Sequence, residues 1–318
     1  MFVGHAALAF AVVAWLAASR VDRRTALTLG LVAAAFATIP DLDILYAPVG
    51  LVGARLDALA LASAFWSTST LVHRGVTHSL VVGALVSLLA VSCFLGVRRR
   101  RTLVVLSVAV GVVLVASVAR DAGSLAGGVT LLFVASALAL AALAARRTDL
   151  SVRAFAAAAA FGLLSHPFGD VFTGTPPAFF YPFDVVLLAD RVALAGDPTL
   201  HLLAAFAVEL LTIWVAVLVC VGTTHKPGRR SPRQLVRPWV AVAAVYATTV
   251  FVIPPPTLDY SYPFVFSVVA VGFVGVMPRV RLLGGRRLTA PDWRSALLTA
   301  LSAVTVAWAA YLVAYLVV

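Results

Sequence analysis

Long runs of Ala, Val and Leu, broken by short polar clusters, recur from one end of the chain to the other. Each run approaches the roughly 20 residues that an α-helix needs to cross a bilayer. The pattern predicts about ten spanning helices, over residues 2–19, 25–40, 77–97, 102–119, 124–145, 151–166, 199–222, 237–253, 262–278 and 294–316. Several of these runs are short, so a count of eight or nine stays open. Alanine runs such as 156–160 suit close helix contact, because small residues let backbones approach in lipid. The expected fold is therefore all-α: a polytopic helical membrane protein, with residues 1–318 forming a single membrane-embedded domain.

Two connections are long. Residues 41–76 hold Pro48, several glycines and the semi-apolar stretch LDALALASAFWSTSTLV, which reads as an interfacial or re-entrant helix with Trp66 at headgroup depth. Residues 167–198 are rich in proline and aromatics, as in HPFGDVFTGTPPAFFYPFD. Loops of this length are functional or disordered, and aromatic residues disfavour disorder.

Composition agrees with the pattern: 62% of residues are hydrophobic and 12% charged, where a soluble domain carries about a quarter charged. A net charge of +11 invites a nucleic-acid partner until the basic residues are located. About 20 of the 24 fall in alternate loops, after spans 1, 3, 5, 7 and 9. By the positive-inside rule those loops are cytoplasmic, which predicts both termini on the non-cytoplasmic side and no nucleic-acid partner. Most aspartates fall in the opposite loops. Cys93 and Cys220 lie in apolar runs and read as buried thiols. His225, in a basic loop, reads as solvent-facing.

The arginine pattern brings four polar features to one membrane surface. His5 is near the outer end of span 1, PDLD (40–43) closes span 2, HRGVTHS (73–79) leads into span 3, and HPFGD (166–170) leaves span 6. Extended backbone after Pro40 would point Asp41 and Asp43 the same way. His73 and His78 would lie about 140° apart on an ideal helix. A turn at Gly75 is expected between them, with Thr77 at or near the cap of span 3 and His78 in its first turn. His166 and Asp170 share a face at helical spacing, with Pro167 either kinking the helix or starting a new one.

Imidazole and carboxylate without thiolate suit zinc, manganese or iron. The candidate ligands are His5, Asp41, Asp43, His73, His78, His166 and Asp170, enough for one or two ions. Asp43 or Asp170 could bridge two ions. An ion acidifies a water it holds, so that hydroxide can attack a phosphoester. Arg74, Asp43 and Asp170 are the candidate catalytic residues, with Arg74 able to clamp a phosphate bidentately. Thr77, Ser79, Thr173 and Glu209 could orient the ligands. Glu209, the one glutamate in the chain, is deep in span 7, with His201 nearer the outer end; a carboxylate at that depth is functional by default. The plain alternatives are capped turns, an acidic solvated face and an interhelical hydrogen bond.

GHAALA, PDLD, HRGVTHS and HPFGDVFTGTPP…YPF together resemble the YdjM family of inner-membrane-associated, metal-dependent hydrolases. Residues 1–185 carry the resemblance; residues 186–318 match it only as generic spans. The family implies a further likeness to the zinc-dependent phospholipase C and nuclease superfamily, whose H-x₃-D element would be His166 and Asp170. The chain departs from that superfamily in lacking its later H-x₃-E, which favours one or two metals over three, and in Pro167, which stands where the family has an aliphatic residue. The expected protein is a multi-pass cell-membrane hydrolase of phosphoester bonds, with a lipid headgroup substrate at the non-cytoplasmic surface. The rival expectations are a transporter or channel for a metal ion or small solute, and a non-catalytic membrane protein with a structural metal.

Overall fold

The first two apolar runs form a helical hairpin, α1 (Phe2–Ala18) and α2 (Arg23–Thr38). Asp22 sets its turn: the carboxylate accepts from the amides of Arg24 and Thr25 at 2.9 and 3.1 Å, satisfying donors that a helix start leaves open. This computed structural model describes residues 2–69, 71–224, 232–277, 279–281, 287–289 and 292–318. The chain divides into two units, Met1–Val192 and Ala193–Val318.

The first unit continues with α3 (Ala58–Ser69), α4 (Leu80–Arg98), α5 (Arg101–Ala122), α6 (Ser124–Arg147) and α7 (Val152–Gly169). The stretch from Arg101 to Arg147 is interrupted by Arg120 and Asp121, and Gly123, at φ +90°, divides it into two helices. Helix α7 packs against α2 and α4. At the α2 contact Gly162 faces the Ala33 carbonyl so closely that a Cβ would lie 2.4 Å from that oxygen, the close backbone approach that small residues permit. Phe94 stacks on Phe155 at 4.1 Å, and Phe36 meets Phe155 edge-on at 5.7 Å. These rings belong to the buried core that α2, α4 and α7 share.

The second unit comprises α8 (Pro198–Thr224), the short α9 (Pro232–Leu235), a 3₁₀ helix over Pro238–Phe251, α10 (Tyr262–Ala270), strands β1 (Arg279–Arg281) and β2 (Arg287–Thr289), and α11 (Trp293–Val317). Leu203, Phe264, Leu298 and Tyr311 are buried in its core. The antiparallel strand pair is a small exception to an otherwise helical fold.

Among the described residues, six stretches are long and apolar enough to cross a membrane, and three shorter apolar helices accompany them. With α5 and α6 taken apart, they account for each of the ten predicted spans. The 3₁₀ helix has only 14 residues, but at about 2.0 Å rise per residue it reaches roughly 28 Å, near the thickness of the hydrocarbon core.

The local backbone departs from expectation at the motifs. Pro40–Ile44 is a 3₁₀ turn rather than extended chain, so Asp41 and Asp43 do not share a side. Between His73 and His78 the left-handed residue is Arg74, at φ +66°, not Gly75. Ser79, not Thr77, caps α4, accepting from the amides of Val81 and Val82; His78 sits just before the helix in a 3₁₀ turn over Val76–His78. Pro167 lies inside α7, which neither ends nor restarts there. His225, Lys226, Arg229, Arg230 and Arg286, part of the charge pattern, lie outside the described residues.

Candidate metal centre

Four elements of the first unit converge. His5 comes from α1, Asp41 and Asp43 from the 3₁₀ turn after α2, His73 and His78 from the turn before α4, and His166 and Asp170 from the end of α7. His5, Asp43, His78, His166 and Asp170 are buried, while Asp41 and His73 are partly open.

Each of three imidazoles has its Nδ1 occupied from behind. His166 Nδ1 donates to the Ala37 carbonyl at 2.6 Å. His73 Nδ1 donates to Asp43 Oδ1 at 2.9 Å. The Thr77 hydroxyl donates to Asp43 Oδ2 at 2.8 Å, which leaves Thr77 Oγ1 to accept from His78 Nδ1 at 2.9 Å. The Nε2 atoms are therefore the nitrogens open to an ion, the arrangement in which a partner behind the ring fixes the tautomer of a metal-binding histidine.

In front, His78 Nε2 lies 3.0 Å from His166 Nε2, 3.1 Å from Asp170 Oδ2 and 3.8 Å from Asp41 Oδ1. His166 Nε2 is 3.4 Å from Asp41 Oδ1, and His5 Nε2 is 3.2 Å from Asp170 Oδ1. Two ligands of a tetrahedral zinc with bonds near 2.05 Å stand about 3.4 Å apart, so these separations bracket what one ion requires. The ligand atoms form two groups, Asp41–His73–His78–Asp170 and His5–Asp41–His166, each with all atoms within 4.8 Å of one another. Asp41 belongs to both. Asp43 belongs to neither; its oxygens are committed to His73 and Thr77.

The donor set is short of hydrogens. Asp41 Oδ2 is buried with no hydrogen-bond partner among the described residues, a costly state for a carboxylate oxygen unless a cation faces it; Asp170 Oδ2 faces His78 Nε2 at 3.1 Å. His78, ahead of the spanning helix, responds to the same excess. Burial would lower its pKa, but Asp170, Asp41 and Asp43 outweigh burial and hold it at about 9.

Arg74 reaches over the cluster from its left-handed backbone. Its Nη2 donates to Thr173 Oγ1 at 2.8 Å and to Asp170 Oδ1 at 3.3 Å, and its Nη1 to the Thr175 carbonyl at 3.0 Å. Arg74 Nε is buried with no hydrogen-bond partner among the described residues. Ser79 serves the frame: its hydroxyl donates to the Tyr181 carbonyl at 2.7 Å, and the Leu80 amide bonds the Phe179 carbonyl at 2.8 Å. The aromatic loop is thereby tied to the histidine turn.

Glu209 and His201 lie in α8 of the second unit, whereas the cluster is assembled within the first. His201 Nδ1 accepts from the Leu194 amide at 3.0 Å. Residue types alone do not reveal the Ala37 and Thr175 carbonyls. Gly169 could have been noticed in HPFGD, since a Cβ there would lie 2.4 Å from the His5 ring.

Residues 1–129 match the family described as YdjM inner membrane protein. The matched stretch holds His5, Asp41, Asp43, His73, Arg74 and His78; His166 and Asp170 lie beyond it. No curated protein and no solved structure matches the chain.

Proposed function

From a chain whose residues 1–129 match the YdjM inner membrane protein family, we propose a membrane-embedded, metal-dependent hydrolase of phosphoester bonds in a lipid or lipid-linked substrate. One observation carries it. Three imidazoles tied down at Nδ1 turn their Nε2 atoms toward Asp41 and Asp170, and Asp41 keeps a buried oxygen with no hydrogen-bond partner among the described residues. Nitrogen and oxygen donors without sulfur suit zinc, with manganese or iron as alternatives, in one or two ions. When bound, such an ion supplies Lewis acidity and lowers the pKa of water.

The chain's own groups then have distinct tasks. Asp41, which belongs to both ligand groups, would be shared if two ions were held. Asp43 and Thr77 hold His73 and His78 in the tautomer that offers Nε2. Side-chain exposure of 10–13% at Asp41, His73 and Arg74, against 0–3% at His5, His78, His166 and Asp170, favours an approach over the first three. A phosphoester entering there would meet the Arg74 side chain, whose guanidinium is held toward the cluster by Thr173, Asp170 and the Thr175 carbonyl. The arginine pattern of the loops favours a non-cytoplasmic opening.

Metal analysis of purified protein, paired with hydrolysis of bis(p-nitrophenyl) phosphate and of phospholipid vesicles, tests the proposal. Wild type should carry zinc or a similar ion and cleave a phosphoester. His73→Ala with His78→Ala should lose metal, and Arg74→Lys should keep metal but lose at least about tenfold in kcat/KM. Unchanged metal content in the double variant, or a metal-loaded wild type without phosphoesterase activity, overturns it.

A further inference from the structure

Helix α1 delivers His5 to the last turn of α7, where the ring lies in a slot. One wall is the His166 imidazole, with ring centroids 3.9 Å apart and planes 37° from parallel. The other is the backbone of Gly169. A Cβ on residue 169 would lie 2.4 Å from His5 Cε1 and 2.5 Å from His5 Nδ1, far inside van der Waals contact. At the end of the slot His5 Nε2 meets Asp170 Oδ1 at 3.2 Å.

The backbone itself has no need of glycine here. Gly169 has φ −73° and ψ −22°, right-handed helical values that any residue adopts. Glycine even weakens a helix relative to alanine. What requires it is the imidazole arriving from another helix. Gly128, in α6, makes the contrast: nothing lies within 4 Å of a Cβ built there.

We propose that Gly169 is a positioning residue, the seat that admits the His5 imidazole beside His166 and Asp170. Any larger side chain pushes His5 outward, detaches it from Asp170 and opens the His5–Asp41–His166 group. Gly169 touches no substrate; it acts through His5. Its effect on metal affinity rests on the proposed metal-dependent function, whereas its effect on folding stability does not.

A double-mutant cycle tests the seat, using full-length protein in detergent, with Tm and zinc affinity read for wild type, Gly169→Ala, His5→Ala and the pair. Gly128→Ala is the control and should neither lower Tm nor weaken zinc binding. Gly169→Ala should lower Tm and weaken zinc binding about 10–100-fold, the usual loss when a ligand's supporting contact is removed. In the His5→Ala background, where the methyl group has room, the same substitution should lower neither. If Gly169→Ala alone fails to fold, the pair should recover folding. Equal losses in both backgrounds, no loss in the wild-type background, or a pair that stays unfolded would overturn the proposal. Should wild type bind no zinc, the metal-dependent function fails, and the Tm cycle still decides the seat.

Discussion

The Nδ1 of His166 lies 2.6 Å from the carbonyl oxygen of Ala37, in the last turn of α2. That carbonyl is available because α2 stops at Thr38, and the last four carbonyls of a helix lack partners within it. Pro40 begins the following 3₁₀ turn and cannot continue the helical ladder. A helix stop in one element thus decides which nitrogen a histidine presents in another. In ¹⁵N NMR spectra of metal-free protein, His166 should carry its proton on Nδ1. A signal from the Nε2–H tautomer would contradict the geometry.

Asp41 and Asp43 sit two residues apart and should fail differently when neutralised. Asp43 has both oxygens bonded to groups that hold the histidines, so Asp43→Asn should preserve metal stoichiometry and weaken affinity about 10–100-fold. Asp41 belongs to both ligand groups, so Asp41→Asn should lower the stoichiometry itself. Metal counting by mass spectrometry distinguishes the two; the reverse pattern would exchange their roles.

Metal removal should loosen the first unit. The ligands come from the ends of four separate elements, and an ion that binds only the folded state stabilises it by about 2.7 kcal/mol at a hundredfold excess over Kd. Chelation should therefore lower Tm, and zinc should restore it. His73→Ala with His78→Ala should be less sensitive to both treatments, since only the His5–Asp41–His166 group stays whole. A double variant as chelator-sensitive as wild type would place the ion elsewhere.

The side on which the cluster opens can be read by labelling. With the native Cys93 and Cys220 replaced, a cysteine at Phe172, two residues after Asp170, should react with an impermeant maleimide from the non-cytoplasmic face. Labelling only from the cytoplasmic face would reverse the orientation drawn from the arginines.

The helices were legible because an apolar run of spanning length has few other uses, and the arginine alternation marked their ends. The gathering of His5, Asp41, His73, His78, His166 and Asp170 was legible for the same reason: once the helices alternate in direction, their ends fall on two surfaces. The backbone at the motifs was not. Arg74 takes the left-handed turn while its side chain is bonded to Asp170, Thr173 and Thr175, and residues about a hundred positions away are invisible to local propensity. Ser79 displaces Thr77 as the cap because the Thr77 hydroxyl is committed to Asp43. Tertiary partners settled both choices, and local pattern has no access to them.

The bond between His5 and Asp170 joins residues 165 positions apart. At about 5–20 residues per second, a ribosome needs roughly 8–33 s to get from one to the other. Through that interval α1 through α6 can enter the bilayer while the histidine on α1 has no partner. The centre closes only when α7 arrives, once about half of the chain has been made, and a chain cut short before α7 would carry most of the recognisable motifs and lack His166 and Asp170.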